Sequence, residues 1–228
     1  MATLFQSFPD SGQTDFPFPT PLTEKYRPTA IADFVGLDKI KKAMTKLAAK
    51  PFQSAWFFLG PSGTGKTTMA LALVAEMPAE IHHIASKACT LETVEDIARQ
   101  CHFMPRMAND WAPCKMHVVL VDEADQASYP AQLAFLSLLD ATCFPPNTIF
   151  IFTGNSVANL EDRFMSRCHL LEFSSYGMAK DTAALLEKVW DAETDNPVER
   201  PNFARIVKDA NNNVRAALME LETAMMCG

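Results

Sequence analysis

Gly60-Pro61-Ser62-Gly63-Thr64-Gly65-Lys66-Thr67 follows the apolar run Ala55 to Leu59 and opens a helix-forming segment at Lys66. The stretch is a complete G-x-x-x-x-G-K-T phosphate loop, and its strand–loop–helix setting separates it from a chance glycine-rich turn. Its glycines let backbone N–H groups close on phosphate oxygens at a helix N-terminus, Lys66 reaches the β- and γ-phosphates, and Thr67 offers its hydroxyl to Mg²⁺. Residues Gly60 to Thr67, with Thr68 beside them, are therefore expected to hold a nucleoside triphosphate, ATP or GTP.

Outward from this loop, β-like and α-like blocks alternate, the pattern of a parallel sheet covered by helices. The spacing predicts strands at 55–59, 80–84, 117–121, 147–153 and 168–173. Helices are predicted at about 38–49, 66–76, 91–102, 130–140 and 159–165, each with apolar residues at helical intervals. The fold class is thus α/β, a P-loop five-stranded parallel sheet flanked by helices. After Phe173 the strand signals stop, and 178–190, 201–210 and 213–226 read as amphipathic helices separated by Asp-, Asn- and Pro-containing turns. The expected organisation is a flexible tail over 1–22, an α/β domain over 23–175 and a small all-α domain over 176–228. The tail carries Phe16-Pro-Phe-Pro-Thr-Pro21 together with Phe5 and Phe8, which also suits a short docking peptide.

Among 228 residues, 48% are hydrophobic, enough for a sizeable core. No run approaches the about 18 apolar residues of a spanning helix, and the N-terminus lacks the pattern of a secretory leader, so the cytoplasm is the expected compartment. A net charge of −7 argues against unaided coating of nucleic acid; contact with DNA requires a local face or partner subunits. The six cysteines contain no C-x-x-C pair, and no disulfide framework is expected. Cys89, Cys101, His102, Cys114 and His117 cluster between the second and third predicted strands, but their spacings match no usual zinc pair, and zinc is not expected.

The apolar strand His117 to Val121 runs into Asp122-Glu123-Ala124-Asp125. Ligands bind at the C-terminal ends of strands in an α/β sheet, so Asp122 is placed to hold Mg²⁺ and Glu123 to orient and deprotonate a water. An acidic strand end also serves as a helix cap or surface charge pair; the phosphate loop favours the metal reading. Asn155, in Thr153-Gly154-Asn155, ends the next strand, where its amide could meet the γ-phosphate, although Gly-Asn is also an ordinary turn dipeptide. Arg163, Arg167 and Arg215 are candidates to neutralise developing phosphoryl charge, and spacing does not choose among them.

Taken together, these pieces resemble the AAA+ ATPases, and within them the clamp-loader subunits of the replication factor C, bacterial polymerase III gamma and phage kinds. The resemblance covers 23–228 and rests on Glu24-Lys-Tyr-Arg-Pro28, Phe34-Val-Gly36, the Asp-Glu-Ala-Asp box and Ser166-Arg-Cys168. It implies that Tyr26, Arg27, Pro28 and Val35 lie near the adenine, that Asn155 is the sensor-1 residue, and that Arg167 is an arginine finger reaching a neighbour's ATP. Arg215 becomes the sensor-2 arginine of a lid domain. The implied cofactors are ATP and Mg²⁺, and the implied partners are other AAA+ subunits, DNA and a sliding clamp, with nucleoid association. Two departures stand out. The chain ends at Gly228 directly after the lid, where the family's collar domain would begin, and Leu136 and Ser137 stand where relatives often carry arginines.

The resemblance implies an ATP-hydrolysing clamp-loader-like subunit in DNA replication. The alternative is a nucleotide-dependent scaffold or regulatory module that recruits a replication or transposition partner with little turnover. A branch-migration motor is a weaker reading, because such motors add a winged-helix domain for which the chain has no room.

Overall fold

The computed structural model describes residues 20–85, 88–105, 114–194 and 200–227, and the tail through residue 19 lies outside them. Five parallel strands form one sheet: β1 (Ser54–Leu59), β2 (Ala79–Ile84), β3 (Met116–Val121), β4 (Thr148–Gly154) and β5 (His169–Glu172). Their spatial order is β2-β3-β4-β1-β5, with Ala55 opposite Phe150, Val119 opposite Phe150 and Glu80 opposite His117. The expected sheet is present. Strands β3 and β4 are buried along their whole length, as near-continuous apolar runs covered on both faces must be. The edge strands β2 and β5 are the polar ones, and they carry His82, His83, His169 and Glu172.

Side-chain alternation sorts the sheet into two cores. Phe57, Val119, Val121, Phe150 and Phe152 face one way, against α4 (Leu91–Cys101), α5 (Tyr129–Leu138) and the short α6 (Asp162–Met165). Phe58, Val118, Leu120, Ile149 and Ile151 face the other way, against α2 (Asp38–Ala49) and α3 (Lys66–Ala75). On the first face Phe135 and Phe164 meet Phe152 edge-on, with ring centroids 5.1 and 4.9 Å apart, a geometry that adds to burial.

A third core joins α7 (Ala179–Glu193), α8 (Phe203–Asp209) and α9 (Val214–Cys227) through Leu186, Val189, Trp190, Val207 and Leu221. The starts predicted at the Asn-containing turns hold. Asn202 Oδ1 accepts from Arg205 N–H (3.0 Å), and Asn213 Oδ1 accepts from Ala216 N–H (3.2 Å).

The structure differs from the sequence expectation at two helices. Helix α6 is four residues rather than the span 159–165, because Leu160 N–H closes a turn on Val157 O (3.0 Å) before the helix begins at Asp162. A one-turn helix, α1 (Leu22–Lys25), appears where no periodicity marked one. It exists through tertiary contact: Leu22 is buried in the third core, and its N–H donates to Glu222 Oε1 (3.1 Å). The start of the described chain is therefore built into the C-terminal helices, and the expected boundary at residue 22 falls on the first residue of this helix.

Candidate nucleotide site

Strand β1 sits beside β4 near the middle of the sheet and delivers the phosphate loop to the C-terminal edge, where Gly60 N–H donates to Gly154 O (3.2 Å). Gly63 and Gly65 hold the left-handed backbone that turns the chain into α3, with φ of 79° and 90°. A Cβ at Gly63 would lie 2.3 Å from Asn213 Oδ1, so the loop also needs that absence of side chain to admit the start of α9. Thr64 braces the loop by donating to Pro61 O (2.8 Å).

Lys66 opens α3 and turns back across the loop, donating to Gly60 O (2.6 Å), Pro61 O (2.8 Å) and Asn155 Oδ1 (3.0 Å). Burial pulls its pKa below the ordinary lysine value, and the carboxylates of Asp125 and Asp122 oppose that pull. Asn155 is itself fixed by its backbone N–H, which donates to Asp125 Oδ2 (3.3 Å). The phosphate-loop lysine and the amide at the end of β4, each expected separately to meet phosphate, are in direct contact here.

Asp122 is held from three directions. The Thr67 hydroxyl donates to Oδ1 (2.7 Å), the Thr153 hydroxyl donates to the same oxygen (2.9 Å), and His83 Nε2 lies 2.9 Å from Oδ2. Glu123, the next residue, has a left-handed backbone with φ 50° and ψ 49°, and its N–H donates to Thr153 Oγ1 (3.0 Å). A non-glycine residue in that region is uncommon and costs backbone energy, so the surrounding bonds must hold it there. Thr67 and Asp122 offer hard oxygen donors, and Thr153 and His83 support the carboxylate from behind. That donor set fits Mg²⁺.

Lys66, Thr67, Asp122, Glu123, Asn155 and Arg215 line one cavity of about 390 Å³, together with Ser62, Gly63, Gly65 and Thr68 of the loop. A second hollow of about 110 Å³ adjoins it and shares Arg27, Gly63, Gly65, Thr68 and Arg215. Tyr26, Arg27, Pro28 and Val35 form one wall of the hollow, and Met178, Leu185, Val214 and Leu218 from the C-terminal helices form the other. The walls are pinned at two points. Arg27 Nε donates to Thr68 Oγ1 (3.2 Å), and the Tyr26 hydroxyl donates to Glu193 Oε1 (2.5 Å). The arrangement is a polar, cationic chamber beside a mostly apolar slot, the shape of a triphosphate joined to a base.

Arg167 stands apart from this group. It follows α6, with Nη1 donating to Arg163 O (2.9 Å) and Nη2 3.5 Å from Asp140 Oδ2, and it lines neither hollow. Arg163 lies 3.6 Å from Glu161. Of the three candidate arginines, only Arg215 reaches the chamber of its own chain.

Sequence reasoning missed His83, Thr153 and Asn213. Thr153 was legible only as a strand end, and His83 only as a polar residue on an edge strand. Asn213 makes two bonds at once, its Nδ2 donating to Ser62 O (2.7 Å) while its Oδ1 caps α9. An Asn immediately before a helix was the available signal for the cap, and nothing local announced the second bond.

Residues 56–176 match the family model described as AAA, the ATPase family associated with various cellular activities. The chain belongs to the AAA family. Among curated proteins, this AAA chain is 28% identical over 211 residues to the replication factor C small subunit of Haloarcula marismortui, covering 90% of this chain and 62% of that one. It is 31% identical over 157 residues to replication factor C small subunit 1 of Pyrobaculum islandicum, covering 66% and 46% respectively. The AAA chain thus spans less than two thirds of the length of these relatives. Among solved structures, the Thermotoga maritima RuvB Holliday junction branch migration motor superposes with a TM-score of 0.68 at 18% identity, over 86% of this chain and 64% of that one. At that identity the likeness is one of fold.

Proposed function

We propose that the chain is an ATP-binding and ATP-hydrolysing clamp-loader-like subunit of DNA replication, working in an assembly whose sites are shared between neighbours. The observation that carries this reading is the separation of the cations. Lys66 and Arg215 face the chamber, whereas Arg167 is turned onto a different surface. The similarity to replication factor C small subunits supports the choice of process.

In this reading Lys66 and the N-terminus of α3 bind the β- and γ-phosphates, and Arg215 contacts the γ-phosphate from the C-terminal helices. Thr67 and Asp122 would hold Mg²⁺, which would supply positive charge against the phosphates. Glu123 takes the proton of the attacking water, and Asn155 orients that water. Tyr26, Arg27, Pro28 and Val35 enclose the adenine. Arg167 completes the site of the adjacent subunit, where a fixed cation is worth about 10³ to 10⁵ in rate. The wider assembly acts on DNA and a sliding clamp in the cytoplasm, at the nucleoid. No helix among the described residues is long and apolar enough to cross a membrane.

Complementation tests the shared site. Arg167→Ala and Glu123→Gln should each bind ATP and each fail to turn it over. Mixing them should restore part of the turnover, because one interface then pairs an intact Glu123 with an intact Arg167. Wild-type turnover by Arg167→Ala alone, or no recovery in the mixture, would remove Arg167 as the finger.

A further inference from the structure

At the opposite end of β3 from Asp122, three metal-ligating side chains from three separate elements converge. His117 lies near the start of β3, His82 lies on β2, and Cys101 is the last residue of α4. The ring nitrogens His82 Nε2 and His117 Nδ1 are 3.0 Å apart, and one ligand atom from each of His82, Cys101 and His117 lies within 4.8 Å of the others. Cys101 and His117 are buried, at 0% and 1% exposure. Glu80 faces His117 across the β2–β3 ladder, with Oε2 3.6 Å from His117 Nδ1. Five residues of strand, about 16 Å, separate His117 from Asp122, and none of His82, Cys101 and His117 lines the nucleotide chamber.

The orientation of His117 is the second observation. Its Nε2 lies 2.9 Å from Phe103 O, an atom that can only accept, so Nε2 carries the proton. The Nδ1 lone pair is thereby aimed at the point where His82 Nε2 and Cys101 Sγ meet, with the Glu80 carboxylate beside it. A ring whose far N–H is anchored on a backbone carbonyl while its near nitrogen faces other donors is the usual outer support of a metal-bound histidine.

We propose that His82, Cys101 and His117, with Glu80 as fourth donor, form a tetrahedral Zn²⁺ site that fastens the end of α4 to the edge of the sheet. Two imidazoles and a thiolate form a borderline-soft set that suits Zn²⁺ and not Mg²⁺ or Ca²⁺. The thiolate and carboxylate charges balance the dication, as burial requires; the Cys101 proton leaves to solvent on binding. Bond lengths of about 2.0 to 2.3 Å place tetrahedral donors roughly 3.3 to 3.6 Å apart; the widest pair among His82, Cys101 and His117 closes by about an ångström, and the Glu80 carboxylate, outside that group, rotates inward to become the fourth. Of the five residues that the sequence grouped in this interval, only Cys101 and His117 join the cluster. His102 is exposed and bonds Ala98 O (2.8 Å), and His82 came from a strand with no spacing relation to the cysteines.

The full-length chain, stripped with a chelator and dialysed against Zn²⁺ and then against metal-free buffer, is assayed for zinc by mass spectrometry. The same protein loaded with Co²⁺ is examined by absorption. The site predicts one zinc per chain and a Co²⁺ spectrum with thiolate charge transfer and intense tetrahedral bands. Cys101→Ser and His117→Gln should each weaken zinc binding at least tenfold, with Cys143→Ser, at an exposed thiol, retaining it. No retained zinc in the wild type, a Co²⁺ spectrum without thiolate charge transfer, or zinc lost in Cys143→Ser but kept in Cys101→Ser would each overturn the proposal. The wild-type measurements decide the matter even where a variant fails to fold.

Discussion

Replacing Thr153 by valine removes one hydroxyl and keeps the shape of the side chain, yet that hydroxyl joins the two carboxylate residues of the site. It donates to Asp122 Oδ1 (2.9 Å) and accepts from the Glu123 N–H (3.0 Å), at a position only 2% exposed. Leaving a buried donor unmade costs about 1 to 3 kcal/mol, and a bond to a charged acceptor is worth about 1.5 to 3 kcal/mol. The Asp122 side chain is 20% exposed, so water recovers part of the second loss and the total falls near the lower end, at about 2 kcal/mol. For a chain of this size that lowers Tm by roughly 4 to 8 °C. The larger effect is on turnover. Glu123 sits at φ 50° and loses an anchor for that strained backbone, and a carboxylate displaced by about 1 Å costs about 100-fold in rate. Thermal unfolding, Mg-ATP affinity and ATP turnover of Thr153→Val and Thr153→Ser should therefore separate. Valine loses stability and rate but keeps affinity within about tenfold, and serine recovers both. A valine variant that melts within about 1 °C of wild type and turns over normally would refute the reasoning, as would a serine variant no better than valine.

Three further outcomes follow from other residues. Lys66→Ala removes the ammonium of the phosphate chamber, worth about 1.5 to 3 kcal/mol for each charge-assisted bond to phosphate, so ATP affinity measured by fluorescent-analogue titration should fall at least about tenfold, while Glu123→Gln should bind near normally and not hydrolyse. The hydrogen bond to Glu193, helped by burial, pushes the Tyr26 hydroxyl up from 10.0 to about 12. The native state thus keeps a proton that the unfolded chain has released, so its stabilisation is complete below pH 10.0 and is lost as pH rises towards about 12. The difference in Tm between wild type and Tyr26→Phe should shrink across that window.

Much of the sheet was legible because its central strands are runs that fit only burial. His117 to Val121 and Thr148 to Phe152 have no polar face to offer solvent. The phosphate loop, Asp122 and Asn155 followed from position, since the C-terminal edge of a parallel sheet collects whatever ends adjacent strands. Legibility failed wherever a contact joins residues with no shared period. Helix α1 is a single turn that forms because Leu22 finds the third core, and no pattern within four residues encodes that. His83 reaches Asp122 only because β2 lies beside β3 in register. The wall of Tyr26, Arg27, Pro28 and Val35, which family resemblance alone singled out, becomes a slot only when Met178 and Leu218 arrive from distant helices.

The tie between α1 and the helices of the third core has a consequence for synthesis. Leu22 bonds Glu222, two hundred positions further along, and Tyr26 bonds Glu193. One side of the base slot is thus translated well before the sheet, and the other, Val214 to Leu218, well after it. The sheet and its phosphate loop have all their strands once β5 has left the ribosome, but the slot beside them cannot close until α9 follows. A nascent chain halted before residue 214 would carry the phosphate loop and the acidic strand and still lack Val214, Arg215 and Leu218 from the lining of the slot. Both walls of the slot are therefore completed together and late in elongation, when α9 emerges and gives α1 the core it needs to form.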